Sequence, residues 1–196
     1  MLTYSEMRTF HDDALADAGR FVERAAQGDL SLATPCDGWD LADLLSHMIG
    51  QNNGFAAAVA AGDAEAPAYA GPEFTAADGV REWAASVAAL RSAFGQADAD
   101  RTVHLAEFDV DVPAADALAM QLLDTVVHAW DVATALGDAY RPNETVTRLV
   151  LDYARKIASR PGGSPGVFAG ALPETGTDPW SDALRLLGRD AQVVEA

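Results

Sequence analysis

The sequence is short of basic residues, of cysteine and of long apolar runs, and each shortage excludes a class of protein. Only 13 Lys and Arg residues stand against 30 Asp and Glu residues, a formal net charge of −17. Such a surface repels nucleic acid and anionic lipid, which argues against binding to a phosphate backbone. The same negative charge concentrates divalent cations near any open site.

A single cysteine, Cys36, excludes an intramolecular disulfide framework and a zinc site made of thiolates alone. No apolar run approaches the roughly 20 residues needed to cross a bilayer, so we expect no membrane contact. The N-terminal residues MLTYSEMRTFHDD turn acidic and lack the basic-then-apolar pattern of an export signal. We therefore expect a cytoplasmic protein.

Apolar residues recur three or four positions apart through most of the chain, which is the pattern of amphipathic helices. The predicted long helices cover residues 5–26, 41–61, 75–96, 114–136 and 143–159. Gly137 is expected to end the fourth helix in a left-handed conformation. After the predicted loop RPGGSPG (160–166), Asp178 and Pro179 suit the start of a short last helix through residue 187.

This pattern predicts an all-α fold, an antiparallel four-helix bundle, because no βαβ alternation is sustained. The fourth helix is apolar nearly all round and is expected to be the most buried. Alternating apolar residues predict a short extended stretch or hairpin over 98–113. The links 62–74 and 97–113 are interpreted as crossover loops. We expect one domain over residues 1–196, with a tail from about residue 160 packed on it.

Asp124 and His128 are the strongest candidates for chemistry, because their spacing of four places both side chains on one face of the most apolar helix. A buried carboxylate costs free energy unless it is paired or bound to a cation. His47 lies in the middle of the second helix and could complete a three-ligand metal site with open positions. The alternative is a chance spacing, with each histidine held by an ordinary hydrogen bond in the core.

Several further residues have two interpretations. Asp131 lies three after His128 and could accept a hydrogen bond from its imidazole, or could cap or pair on the helix surface. Cys36 could touch the site or carry a mixed disulfide, or serve as a small apolar residue. His104 is either a proton-transfer residue over the pocket or an exposed loop histidine. His11 is expected on the exposed, charged side of the first helix.

Three apolar residues are expected to pack in the core. Trp39 and Trp130 are interpreted as packing residues rather than substrate platforms, because large aromatic side chains commonly anchor cores. Val80 is predicted to face inward from the third helix, in line with the other apolar residues of that helix.

Two segments, TPCDGWDLADLLSHMIG (34–50) and DTVVHAWDVATALG (124–137), resemble the signature stretches of the DinB/YfiT-like four-helix metalloprotein superfamily. The branch they resemble most is the metal-binding domain of mycothiol-dependent maleylpyruvate isomerase and its single-domain actinobacterial relatives. The tail, with Phe168 followed by DALRLLGRD, is also similar to those relatives. The resemblance implies a DinB-type bundle with a short helical tail and metal ligands at His47, Asp124 and His128. Many relatives have glutamate in place of Asp124.

The resemblance also implies a function. The expected cofactor is a divalent metal, zinc first and nickel or iron next, and a low-molecular-weight thiol such as mycothiol is the expected co-substrate. The activity would be a thiol S-transferase or a thiol-assisted isomerase acting on a small electrophile. Maleylpyruvate isomerase has a further C-terminal domain that we do not expect here, so its own activity is not assigned. The alternatives are a metal-activated-water hydrolase or lyase in a biosynthetic pathway, and a non-catalytic metal-stabilised binding module or homodimer.

Overall fold

Six α-helices make up most of the computed structural model, which describes residues 2–160 and 168–190. In these residues the helices are α1 Tyr4–Ala25, α2 Leu41–Ala61, α3 Gly79–Gln96, α4 Ala114–Ala135, α5 Glu144–Ala158 and α6 Pro179–Leu186. They are joined by a short 3-10 helix, Ala66–Tyr69, and by two strands, β1 Thr102–Leu105 and β2 Val110–Pro113. The predicted all-α class is confirmed. Except for Arg160, the predicted loop at 160–166 lies outside the described residues.

The first four helices form a bundle in which α1 and α2 each pack against both α3 and α4. Helices α1 and α2 therefore occupy opposite corners, and so do α3 and α4. The link 97–113 crosses the bundle, as predicted, and contains the predicted hairpin, since β1 pairs antiparallel with β2. The crossover predicted at 62–74 is wrong, because this link joins the neighbouring helices α2 and α3.

The ends of α2 and α4 are set by local sequence. Asp40 caps α2, its side chain accepting the Asp43 N–H while the Asp43 carboxylate accepts the Asp40 N–H. Gly137 has a φ of 71° and directly follows α4, which confirms its predicted left-handed conformation. The capped start of α2 directly follows the turn whose residues Pro35, Cys36, Asp37 and Trp39 line the candidate site.

Helix α3 begins four residues later than predicted. The chain first turns at Thr75, whose carbonyl oxygen accepts the N–H of Gly79. The buried Phe74 ring lies so close to Gly79 that a Cβ there would come within 2.3 Å of the Phe74 Cζ atom. The helix therefore starts at the glycine that this ring contact requires. Val80, predicted to face inward, is 36% exposed, so that prediction is wrong.

The core has two apolar clusters, one inside the bundle and one joining α4, α5 and α6. Helix α4 has 16 of its 22 residues buried and is the most buried helix, as predicted. The expectation for His11 is wrong, since this side chain is only 3% exposed. The buried face of α1 runs through His11, Leu15 and Val22, together with three alanines: Ala14, Ala18 and Ala25. None of the helices in the described parts of the chain is long and apolar enough to span a bilayer.

Candidate metal centre

Three side chains from two packed helices converge on one point. His47 comes from the middle of α2, while Asp124 and His128 lie one turn apart on α4. The Asp124 Oδ1 atom is 3.3 Å from His128 Nε2 and 3.8 Å from His47 Nε2. His128 is buried, whereas about a quarter of the His47 side chain and a fifth of the Asp124 side chain remain accessible to solvent. The cluster therefore has one buried and one solvent-facing side.

The donor set fits a divalent ion. Zinc holds histidine nitrogen and carboxylate oxygen at about 2.0–2.2 Å, so two donors on one ion lie at most about 4.4 Å apart. The three donor atoms here lie within 4.8 Å of one another, close to the separation that a shared ion requires. Two imidazoles and one carboxylate suit zinc, nickel or iron and leave coordination positions open.

Asp131 faces the other nitrogen of the His128 ring. Its Oδ2 atom lies 2.9 Å from His128 Nδ1, and its side chain is fully buried. Burial alone would raise the pKa of Asp131, but the hydrogen bond with His128 and the charge of Arg189 lower it. With Nδ1 facing this carboxylate, the Nε2 atom of His128 is the one that faces Asp124 and His47.

Asp124 and His128 favour each other's charged form. Burial raises the pKa of Asp124, yet the charge of His128 and hydrogen bonds from both histidines bring it below its ordinary value. Burial lowers the pKa of His128, whereas the charge of Asp124 and hydrogen bonds to Asp124 and Asp131 raise it well above the ordinary value. A divalent cation would take the place of this imidazolium proton beside Asp124, so metal and proton compete for His128.

Cys36 lies on the side of His128 that faces away from Asp124. Its Sγ atom is 3.3 Å from Asp131 Oδ2 and 3.4 Å from Arg189 Nη2. Cys36, His128 and Asp131 also form a group with metal-ligand spacing. The Arg189 guanidinium already supplies the positive charge there and repels a second cation. We therefore interpret this group as a hydrogen-bond network rather than a second metal site.

The cluster lines an open pocket with a volume of about 500 Å³. Its other lining residues come from the 34–40 turn, α2, the hairpin and the C-terminal tail: Pro35, Cys36, Asp37, Trp39, Gln51, Glu107, Phe108, Phe168, Ala169, Gly188 and Arg189. Four distant parts of the chain thus enclose the donors on several sides. A small molecule in this pocket would lie against the donor set.

Three side chains named in the sequence analysis differ in their relation to this pocket. Trp39 is 37% exposed and lies against the His47 ring, with centroids 4.8 Å apart, so the expectation of a core residue is wrong for it. Trp130 is buried, as predicted. His104 lies on β1, where its Nδ1 atom is 2.9 Å from Asp111 Oδ1, and the pocket lining in the described chain does not include it. Of its two interpretations, the part-exposed histidine fits.

Sequence reasoning missed several polar residues of the pocket, among them Gln51, Glu107 and Arg189. Gln51 follows His47 by four positions on α2, so helical spacing could have indicated it. Its Nε2 atom donates to Glu107 Oε1 at 3.0 Å, and Glu107 lies in the turn between the strands, where no pattern marks it. Arg189 belongs to a stretch that was noted only for its resemblance to relatives.

Fold and site together define a class: a four-helix bundle with a two-histidine, one-carboxylate cluster in the wall of an open pocket. A family model described as the mycothiol maleylpyruvate isomerase N-terminal domain matches residues 11–133. The chain belongs to this family. The matched region includes His47, Asp124, His128 and Asp131 and stops before the tail.

Two solved structures share the fold. One is the crystal structure of mycothiol-dependent maleylpyruvate isomerase, at 19% identity, and the other is that of a histidine-to-alanine mutant of this enzyme, at 18%. Each gives a TM-score of 0.65 and covers 81% of this chain and 72% of the solved chain. A comparison with curated proteins found no match. At such identities the likeness shows the fold alone.

Proposed function

We propose that this chain is a divalent-metal-dependent enzyme that uses a low-molecular-weight thiol of the mycothiol type to attack a small electrophile. The activity is a thiol S-transfer or a thiol-assisted isomerisation, with zinc as the first candidate metal. His47, Asp124 and His128 hold the ion. Both solved relatives are mycothiol-dependent, which supports the choice of thiol for this chain.

The observation that carries the proposal is the position of the three donors in the wall of an open pocket. A structural metal site is closed by four protein ligands, whereas a catalytic site keeps a position for water or substrate. Here three donors share one pocket of about 500 Å³, and the accessible parts of His47 and Asp124 belong to its lining. This arrangement favours catalysis over a metal-stabilised binding module.

The chain's own residues have distinct parts in this proposal. When bound, the divalent ion supplies a Lewis acid that favours the thiolate form of a thiol at neutral pH. Asp131 holds the His128 ring so that Nε2 points to the donor cluster. The rings of Trp39, Phe108 and Phe168 give the pocket apolar surface beside the donor set. Gln51 and Glu107 offer polar atoms to hydroxyl or amide groups of a bound thiol.

The metal assignment is tested by elemental analysis of the purified protein beside a His47→Ala, His128→Ala double variant. We expect about one equivalent of metal in the wild type and a loss of most of it in the variant, because one carboxylate alone holds a divalent ion weakly. The matched control is His104→Ala, which removes a histidine that is paired with Asp111 on the hairpin. Equal metal content in the wild type and the double variant would contradict the assignment.

The thiol is tested with mycothiol and its S-methyl derivative on zinc-loaded and zinc-free protein by calorimetric titration. The free thiol should bind more tightly to the loaded protein, and S-methylation should remove that difference, because only the free thiol can present a sulfur anion. Turnover of an electrophile without any thiol would favour the hydrolase or lyase alternative instead. Equal binding of both compounds in both forms of the protein would contradict the thiol proposal.

A further inference from the structure

The end of α6 is built to turn the chain sharply back towards the bundle. The Gly188 N–H donates to the Arg185 carbonyl oxygen and the Arg189 N–H donates to that of Leu184, the two bonds of a Schellman motif. Gly188 has a φ of 85°, and a Cβ there would come within 2.6 Å of the Ala169 Cβ. Only glycine suits this position, and the next residue, Arg189, is thereby directed into the protein.

Arg189 is buried, and most of its polar atoms have partners. Its Nε donates to Asp131 Oδ1 at 3.3 Å and its Nη2 to Asp131 Oδ2 at 2.9 Å, a two-point contact that covers both carboxylate oxygens. Its Nη1 donates to the Leu187 carbonyl oxygen at 2.8 Å, and its guanidinium lies 5.5 Å from the centre of the Phe168 ring. Two contacts within the tail, to the Leu187 carbonyl oxygen and to the Phe168 ring, thus hold the guanidinium against Asp131.

The contact with Asp131 extends directly to the candidate metal ligand. The same Oδ2 atom that accepts from Arg189 lies 2.9 Å from His128 Nδ1. A chain of hydrogen bonds therefore runs from the tail through Asp131 to the ring whose other nitrogen faces Asp124. Hydrogen-bonded partners of ligating histidines fix the orientation of the ring and contribute to metal affinity.

We infer that Arg189 is a positioning residue of the metal centre, acting on His128 through Asp131, and that the C-terminal tail is therefore part of this centre. The inference rests on the proposed metal binding by His47, Asp124 and His128. It extends the centre beyond the region that the family model matches, which ends at residue 133. The two-point contact matters because it fixes the plane of the carboxylate, which a single hydrogen bond from His128 does not.

Loss of the guanidinium should therefore weaken metal binding by changing the orientation of the His128 ring. Asp131 is fully buried and would keep only His128 and Cys36 as hydrogen-bond partners. Its carboxylate would be free to rotate, and the His128 ring would lose its fixed direction. Lysine at this position keeps the positive charge but cannot make the two-point contact, so it should restore the affinity only in part.

The test measures zinc affinity by competition with a chromophoric chelator in wild type, Arg189→Met, Arg189→Lys and Asp131→Asn. We expect a loss of about 10- to 100-fold for Arg189→Met and a smaller loss for Arg189→Lys. The matched control is Arg185→Met in the same tail, whose side chain contacts Pro173 and Asp190, and its zinc affinity should equal that of the wild type. The cobalt-substituted proteins should show a changed visible spectrum in the Arg189 and Asp131 variants and the wild-type spectrum in Arg185→Met.

A double variant separates positioning from a general effect on folding. Because Arg189 acts through Asp131, adding Arg189→Met to Asp131→Asn should lower zinc affinity little further. The inference would be overturned if Arg189→Lys and Arg189→Met both bind zinc as tightly as the wild type. It would also be overturned if Arg189→Met lowers zinc affinity as much in the Asp131→Asn background as in the wild-type background. If Arg189→Met does not fold by circular dichroism, wild-type affinity and cobalt spectrum in Arg189→Lys alone would overturn it. A wild type that binds no zinc would instead overturn the proposed function, and the inference with it.

Discussion

His11 lies on the buried face of α1, with its Nε2 atom 3.4 Å from the hydroxyl oxygen of Thr125 on α4. Its ring packs edge-on against Phe94, with the centroids 6.1 Å apart. Burial, assisted by the charge of Arg91 and opposed by that of Asp124, lowers the pKa of His11 to about 3. The imidazole therefore stays neutral in the folded protein at pH values where an ordinary histidine is protonated.

The neutral, buried state of His11 should lower the stability of the folded protein in acid. Below an ordinary pKa of about 6.5 the unfolded chain binds a proton that folded His11 does not, so stability falls as the pH falls from 6.5 towards 3. The loss from His11 amounts to about 1.4 kcal/mol per pH unit, or about 2 kcal/mol between pH 6.5 and 5. We predict that His11→Gln removes this part of the pH dependence.

The measurement is urea unfolding at pH 7 and pH 5, with a chelator present so that metal binding adds no pH dependence. The control is His104→Gln, which replaces a part-exposed histidine on the hairpin and should keep the acid loss of the wild type. If the free energy of unfolding of His11→Gln falls between the two pH values as much as that of the wild type, the account of His11 is wrong.

At the scale of elements, the 3-10 helix and the residues after it cross α2 at very short distance. A Cβ at Gly50 would come within 2.3 Å of the Tyr69 carbonyl oxygen and 2.6 Å of the Gly71 nitrogen, and both are backbone atoms. A Cβ at Gly54 would meet the Tyr69 ring. Two glycines on α2, three and seven positions after His47, therefore permit this crossing.

We predict that Gly50→Ala and Gly95→Ala have opposite effects on stability. At Gly50 the new methyl group would push α2 away from the backbone of residues 69–71. This strain should lower the free energy of unfolding by about 1–3 kcal/mol. At Gly95, on the exposed side of α3, the nearest atom to a new Cβ is Arg8 Nη2 at 3.6 Å, an ordinary contact. There alanine should raise the free energy of unfolding by up to about 1 kcal/mol through helix propensity. Urea unfolding of both variants checks this, and equal stabilities would contradict the close crossing.

At the scale of the whole molecule, the net charge is −17, so the excess acidic side chains repel one another across the surface of the folded protein. Added salt shortens the range of this repulsion, from about 10 Å at 0.1 M to about 3 Å at 1 M. We predict that the melting temperature rises between 0.1 and 1 M NaCl, as measured by circular dichroism. The control replaces the exposed Asp13, Glu23 and Asp152 by lysine, and its melting temperature should rise less. A salt response that is equal in both proteins would contradict this explanation.

The predicted single domain, the possible homodimer and the cytoplasmic location also belong to this scale, and they stay predictions. Acidity argued against nucleic acid and anionic lipid as partners, but it does not choose between a monomer and a dimer. Sedimentation equilibrium of the metal-loaded and metal-free protein measures the oligomeric state directly.

The sequence by itself determined the helices, the hairpin and the residues that could bind a metal, because these depend on local spacing. Helical periodicity, the cap at Asp40 and the stop at Gly137 are all carried by residues within a few positions of one another. The pairing of Asp124 with His128 on one face follows from the same local geometry. The late start of α3 was missed, because it depends on how Phe74 packs.

Only the tertiary structure decided which distant residues meet. Arg189 contacts Asp131 across 58 positions of sequence, and Glu107 meets Gln51 across 56. The burial of His11 and the exposure of Trp39 likewise depend on which helix or turn lies opposite each of them. Such contacts arise when separate helices bury their apolar faces together, and this packing leaves no periodic pattern in the sequence around any one of the residues involved.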